Sequence, residues 1–209
     1  MRIGILGAGN MAAALGAKWV GAGHDVLIGA RSAERAVALA ERIGARAGTF
    51  AEAAGHGEAV LVAVGHTAVG EVVPPLAPSL AGKALLDCSN PIVPGPGGLM
   101  LTTDRGPAAA EALAAAAPRA HVVKAFHLGA AEVWAGPHAT GLGVPLCGDD
   151  PTALAVAHTL VADIGSVPLP VGGLDRAGYL EATAAIVIGM WFADQDPRTM
   201  LPLLENAHG

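Results

Sequence analysis

Arg2-Ile3-Gly4-Ile5-Leu6-Gly7-Ala8-Gly9-Asn10-Met11-Ala12 opens the chain, and its reading decides the fold. The apolar run from Ile3 to Leu6 reads as a buried strand, and the glycines behind it read as a tight turn from strand into helix. Gly7 permits that turn, Gly9 lets a pyrophosphate come against the backbone, and Ala12 is small enough for the helix to lie on the sheet. Asn10 and Met11 fall on the first turn of the helix. Its N-terminus offers free N–H donors and a partial positive charge, so this stretch predicts a dinucleotide site.

The next strand tells which dinucleotide. Positions 28–33 read Ile-Gly-Ala-Arg-Ser-Ala. A dinucleotide without a phosphate on its adenosine ribose usually meets an Asp or Glu at this place, and here there is no carboxylate. Ser32 reads as the N-cap of a helix over 33–43, and a capping box would want Glu or Gln at position 35. Arg35 stands there, a cation at the helix end that disfavours cations. Arg31, the Ser32 hydroxyl and Arg35 make sense together around a dianion, so the sequence predicts NADP(H). The plainer alternative is two solvated arginines beside an ordinary glycine turn.

Composition bounds the rest. The 209 residues are 53% apolar and 14% charged, enough to bury a large core and far from the disordered regime. A net charge of −6 without a Lys/Arg run argues against a nucleic-acid partner. Met1-Arg2 enters a strand at once, which predicts no signal peptide. The most apolar stretch, 182–193, is shorter than the ~20 residues a membrane span needs and reads as a buried helix. The expected location is cytoplasmic, away from membranes. Cys88 and Cys147 lack CxxC spacing, so neither a disulfide framework nor a zinc site is expected. Gly148-Asp149-Asp150 has the look of a metal pair, but Asp150-Pro151 is explained better as a helix cap with Pro at the first position, and no metal is expected.

Strand and helix patterns alternate along the chain, which predicts an α/β fold, a Rossmann-type doubly wound parallel sheet with a small C-terminal α/β extension. Strands are expected at 2–6, 25–28, 46–48, 59–64, 84–87, 121–126, 144–147 and 167–170. Helices are expected at 11–21, 33–43, 50–54, 107–117, from 151, and at 176–193. Residues 69–80 read as a helix interrupted by prolines, and 92–98 as a Gly/Pro-rich loop. Residues 1–140 form the NADP-binding part, and 141–209 complete the acceptor site. Ligands of such sheets bind outside the carboxyl ends of the strands. Val64, Gly65 and His66 follow one strand, where His66 is either a cofactor contact or a surface imidazole. Ser89, Asn90 and Pro91 follow the next, where Asn90 can donate to a ribose hydroxyl or a carboxamide or merely shape a turn. His127 follows a third, facing the nicotinamide end as a candidate catalytic group or standing as a structural histidine.

These residues resemble the NADP-dependent reductases of the deazaflavin coenzyme F-420. The resemblance is carried by Gly9-Asn10, Gly29-Ala30-Arg31, Ser89-Asn90-Pro91, Ala125-Phe126-His127, Val144-Pro145-Leu146-Cys147-Gly148-Asp149-Asp150 and the stretch from Leu174 to Glu181. The same module resembles the nucleotide-binding part of membrane metalloreductases, without their transmembrane half. The resemblance implies hydride passing between NADPH and F-420, and a homodimer with acceptor pockets near the interface. Three departures stand out from the archaeal pattern. The glycine turn is one residue shorter and lacks its Thr, Ala30-Arg31 stands in place of Ser-Arg, and Leu128-Gly129-Ala130-Ala131 replaces Thr-Ile-Pro-Ala after His127.

Hydride exchange between two ring systems asks the protein mainly to stack them and exclude water, which suits a site with no obvious acid–base pair. Reduction of an imine or a conjugated C=C bond in a biosynthetic pathway is the alternative, and it needs a proton, with His127 as donor. A non-catalytic NADP sensor is a more distant one. The apolar helix over 176–193 carries more hydrophobic surface than one sheet face needs, which predicts a homodimer with this helix and the segment 128–134 near the contact.

Overall fold

The computed structural model describes residues 1–103 and 106–201, so the segment assigned to 141–209 is described as far as residue 201. The elements run β1 (Arg2–Leu6), α1 (Asn10–Gly21), β2 (Asp25–Gly29), α2 (Ala33–Ile43), β3 (Arg46–Gly48), α3 (Phe50–His56) and β4 (Ala59–Val62). They continue with α4 (Val69–Val72), α5 (Ala77–Leu80), β5 (Ala84–Asp87), β6 (Ile92–Gly95), β7 (Gly98–Leu101), α6 (Ala109–Ala116) and β8 (His121–Lys124). The last are α7 (Ala131–Ala135), β9 (Gly143–Gly148), α8 (Pro151–Ala162), β10 (Val167–Pro170) and α9 (Ala177–Phe192). The eight-stranded sheet has the order β10-β9-β8-β5-β4-β1-β2-β3, and from β3 to β8 every pairing is parallel. These six strands reproduce the order of a dinucleotide-binding sheet, with the reversal of strand order beside β1.

Helices cover both faces. On one, α1, α2 and α8 bury Leu15, Trp19, Leu39 and Leu160 against Ile3, Ile5, Ile28 and Leu61. On the other, α3, α4, α5 and α6 bury Ala53, Val72, Leu80 and Leu113 against Leu6, Val60, Val62 and Leu85. The central strands β4 and β5 are buried throughout, which is why they read as unbroken apolar runs. Gly29 lets α3 lie close on β2: a Cβ there would stand 2.6 Å from the Thr49 carbonyl oxygen.

The structure departs from the sequence expectations at several places. Residues 92–98 are not a plain loop, because β6 and β7 form an antiparallel hairpin with Gly95 paired to Gly98. The strands expected at 59–64 and 121–126 end at Val62 and Lys124, where the chain leaves the sheet toward the site. The sheet is not wholly parallel, since β9 runs antiparallel to β8. A parallel return needs a helix laid across the sheet. The helix between these strands, α7, has five residues and packs on α1 instead. The sheet continues through residue 140 into β9 and β10 without a break. On the outer strand, Val167 and Val171 donate inward to Leu142 and Leu146, so Pro168 and Pro170 occupy the positions whose N–H groups would face outward. That edge has no donors to offer another strand. Among the described residues no helix is long and apolar enough to cross a membrane.

Candidate functional site

Two adjoining clefts open at the carboxyl ends of the parallel strands. The outer one, about 450 Å³, is bounded by the turn after β1, by Arg31, Ser32 and Arg35 after β2, and by Ala68 and Val72 beyond β4. The inner one, about 350 Å³, is bounded by Asn10, Met11, His66, Cys88, Ser89 and Asn90. Gly9, Ala63, Val64 and Gly65 line both, so the two form one elongated groove across the point where strand order reverses. Its two ends have different chemistry.

The wall between them fits a pyrophosphate. Gly7 has φ +128°, its N–H donates to the Gly29 carbonyl at 2.8 Å, and a Cβ on it would collide with the Ala63 carbonyl. At Gly9 and Gly65 a Cβ would meet nothing within 4 Å, so both present bare backbone to open space. Gly9 is also the N-cap of α1, which has neither a capping side chain nor an acidic residue in its first turn. The free N–H groups of that helix end are thus available to an anion.

At the outer end, the Ser32 hydroxyl accepts from the Arg35 N–H at 3.3 Å and caps α2, as its sequence suggests. The hydroxyl proton remains free to donate. The Arg35 guanidinium reaches the Ala8 carbonyl at 3.4 Å, across the mouth of the glycine turn. Arg31 is held at 3.2 Å by Glu71, a carboxylate brought in by α4 that the reading of residues 28–33 did not include.

At the inner end, Asn90 lines the cleft and is tied to the segment after β8. Its Nδ2 donates one hydrogen to the His127 carbonyl at 2.6 Å and keeps a second, while Oδ1 is a buried acceptor with no partner among the described residues. The remaining Nδ2 hydrogen could serve a carboxamide or a ribose hydroxyl. His66, at the rim, shares a hydrogen with the Thr102 hydroxyl at 3.3 Å and so touches the hairpin. Pro91 is buried and lines neither cleft; its carbonyl accepts from the Thr102 N–H and hydroxyl and closes the hairpin base.

His127 does not stand where a catalytic group would. It lines neither cleft, it is buried, and neither ring nitrogen has a partner among the described residues. Burial, reinforced by the Lys124 ammonium, pushes its pKa down to about 3, so the ring is neutral and holds no transferable second proton near neutrality. Burial likewise drives the Cys88 thiol up to about 12, which rules out a thiolate nucleophile at neutral pH.

Beneath the inner end lies an ion cluster that the sequence reading missed. Lys124 Nζ, at the end of β8, donates to Asp87 Oδ2 at 2.8 Å, to Glu181 Oε1 at 2.9 Å and to the Ser89 carbonyl at 2.6 Å. All three ionised side chains are buried. Burial alone would push the lysine down, but Asp87 and Glu181 more than offset it and hold the ammonium above its ordinary value. Asp87 Oδ1 also accepts from the Ser89 N–H at 2.9 Å, so both backbone groups of Ser89 are fixed. Glu181 accepts from Ala109 and Ala110 at the start of α6. The signal was available: single charges interrupt three apolar runs, at Leu86-Asp87-Cys88, Val123-Lys124-Ala125 and Leu180-Glu181-Ala182. Asp150 caps α8 through the Ala153 N–H and Asp149 accepts from Leu174, both structural uses.

Residues 2–91 match the family described as NADP oxidoreductase, coenzyme F420-dependent. The metalloreductase STEAP3 of Rattus norvegicus is 32% identical over 191 residues, covering 91% of this chain and 38% of that protein. The chain therefore spans less than two fifths of that relative's length. A crystal structure of a candidate F420-dependent NADP-reductase from Arthrobacter sp. fb24 superposes with a TM-score of 0.83 at 24% identity, covering 92% of this chain and 94% of that one. The hypothetical protein SMa0349 of Sinorhizobium meliloti superposes at 0.74 with 23% identity, covering 85% and 87%. At those identities the likeness is one of fold.

The state of His127 has a measurable consequence. Its folded pKa is depressed below the ordinary 6.5, so between about pH 6.5 and pH 3 the unfolded chain takes up a proton that the native ring refuses. Its contribution is intact above pH 6.5 and is lost as pH falls through that window. Denaturant unfolding of wild type and His127→Gln between about pH 7 and pH 4 should show a shallower decline for the variant. Equal slopes would mean the ring is not held neutral.

Proposed function

We propose, from the match of residues 2–91 to the model described as NADP oxidoreductase, coenzyme F420-dependent, that the whole chain transfers hydride between NADP(H) and the deazaflavin coenzyme F-420. The observation that carries the NADP half is the cationic outer end, with Arg31, Ser32 and Arg35 around one space and the glycine turn beside it. The dinucleotide would supply the hydride at its nicotinamide. Gly7, Gly9 and the start of α1 hold its pyrophosphate, and Asn90 lines the inner end where the carboxamide or ribose would lie. Ser89, clamped by Lys124 and Asp87, keeps Asn90 in place, and the half-buried Met11 and the buried Cys88 exclude water from that side.

The deazaflavin half draws support from the family description and from the inner cleft's chemistry. Among its described lining residues the ionisable side chains are Cys88, held protonated, and His66 at the rim. Hydride exchange between two rings needs no more. For imine or conjugated C=C reduction, His66 is the ionisable group among the described lining residues that could relay the proton, since His127 is neutral and buried.

The assembly reading is a homodimer through α9. Tyr179, Ile186 and Phe192 on this helix are 68%, 57% and 79% exposed, while the inward side holds Ala177, Glu181, Ala184 and Ala185. The segment 128–134 contributes less than its sequence suggests, because Trp134 is buried edge-on against Phe126 and donates to the Gly129 carbonyl.

Three measurements test these readings. Arg31→Ala/Arg35→Ala should weaken NADPH binding at least about tenfold and leave NADH nearly unchanged, since each charge-assisted bond contributes roughly 1.5–3 kcal/mol before screening. No loss for either dinucleotide would remove the phosphate site. NADPH should bleach the visible band of F-420 in the presence of the protein and leave a flavin control untouched; reduction of a cyclic imine with no bleaching would promote the alternative. Light scattering at micromolar concentration should give about twice the 20.6 kDa of one chain, and a monomer mass would refute the α9 interface.

A further inference from the structure

The ion pair at the outer end of the groove is not used by the binding scheme above. Arg31 Nη2 lies 3.2 Å from Glu71 Oε2, and the pair joins the turn after β2 to α4 across about forty residues of sequence. Glu71 sits between Ala68 and Val72, which line the outer cleft together with Arg31, Ser32 and Arg35. Its carboxylate therefore stands at the rim of the space where two arginines and a free hydroxyl converge. The second cation differs: the Arg35 guanidinium donates to a neutral carbonyl and has no carboxylate partner among the described residues.

We propose that Glu71 is a specificity-setting residue of this site, a built-in counter-ion that occupies Arg31 until a ribose 2′-phosphate takes the guanidinium from it. The inference rests on the NADP reading. A phosphate dianion and a carboxylate cannot share one guanidinium without repelling each other, so the incoming group must displace Glu71 or bind beside it at a cost. Glu71 lowers the affinity for the 2′-phosphorylated ligand and leaves the unphosphorylated one nearly untouched. It also neutralises Arg31 in the free protein, so that unrelated anions find one open cation rather than two. Both side chains are largely exposed, which limits the size of the effect and makes it salt-dependent.

The test uses Glu71→Gln, a substitution at an exposed position that leaves the core untouched, with calorimetric titration of 2′,5′-ADP and of 5′-AMP, which lacks only the 2′-phosphate. At low salt the variant should bind 2′,5′-ADP about three- to tenfold more tightly and 5′-AMP within a factor of about two, and the gain should shrink in ~0.5 M salt. In an Arg31→Ala background the same substitution should gain less than about twofold, because the counter-ion acts through Arg31. Unchanged or weaker 2′,5′-ADP binding in Glu71→Gln, with Arg31→Ala still weakening it, overturns the proposal and spares the cofactor reading. Equal tightening of 5′-AMP, or an undiminished gain without Arg31, also overturns it. If Arg31→Ala and Arg35→Ala both leave 2′,5′-ADP unaffected, the cofactor reading itself fails.

Discussion

One buried ammonium holds the working end of this sheet together. Lys124 joins the carboxyl ends of β5 and β8 to α9, through Asp87 and Glu181, and its third hydrogen goes to the Ser89 carbonyl. Three charges taken out of water cost several kcal/mol each, repaid only when nearly every polar atom finds a partner. Here they do: Asp87 also takes the Ser89 N–H, and Glu181 takes two orphan N–H groups at the start of α6. Removing the cation alone would leave two buried carboxylates facing each other, a loss of about 3–5 kcal/mol. The cluster thereby fixes the strand ends, α6 and α9, and the floor of the inner cleft in a single geometry.

A second constraint aims the acceptor. Phe126 adopts φ +61°, a left-handed conformation that costs a bulky residue about 1–2 kcal/mol. Its ring packs edge-on between Trp19 and Trp134, with centroids 5.9 and 5.5 Å away, contacts of a size to offset that strain. The turn it makes carries the His127 carbonyl to Asn90 Nδ2, and that bond fixes the orientation of the Asn90 amide. The part of His127 that shapes the site is thus its backbone. Its imidazole, buried beside Lys124, is driven neutral by the same surroundings.

The legible portions of the chain were those whose signals are local. The first strand, its glycine turn and the next strand–helix pair are each fixed by residues within a few positions of one another, and there the sequence boundaries agree with the structure to a residue. The capping roles of Ser32 and Asp150 were equally readable. The β6–β7 hairpin was hidden because Gly95-Pro96-Gly97-Gly98 outweighs four-residue strands in any pattern count. The antiparallel course of β9 was hidden because strand direction is set by where the preceding connection packs, and α7 packs on α1.

The sequence by itself determined the doubly wound sheet, the dinucleotide turn and the arginines of the outer cleft, because turn geometry, capping and strand periodicity act over a few residues. Tertiary structure alone decided what those groups are free to do. Glu71 reaches Arg31 from another element, Lys124 gathers carboxylates from β5 and α9, and a carbonyl beyond the neighbouring strand β8 orients the Asn90 amide. Charge pairing and burial act through space, over distances that the order of residues along a chain does not encode.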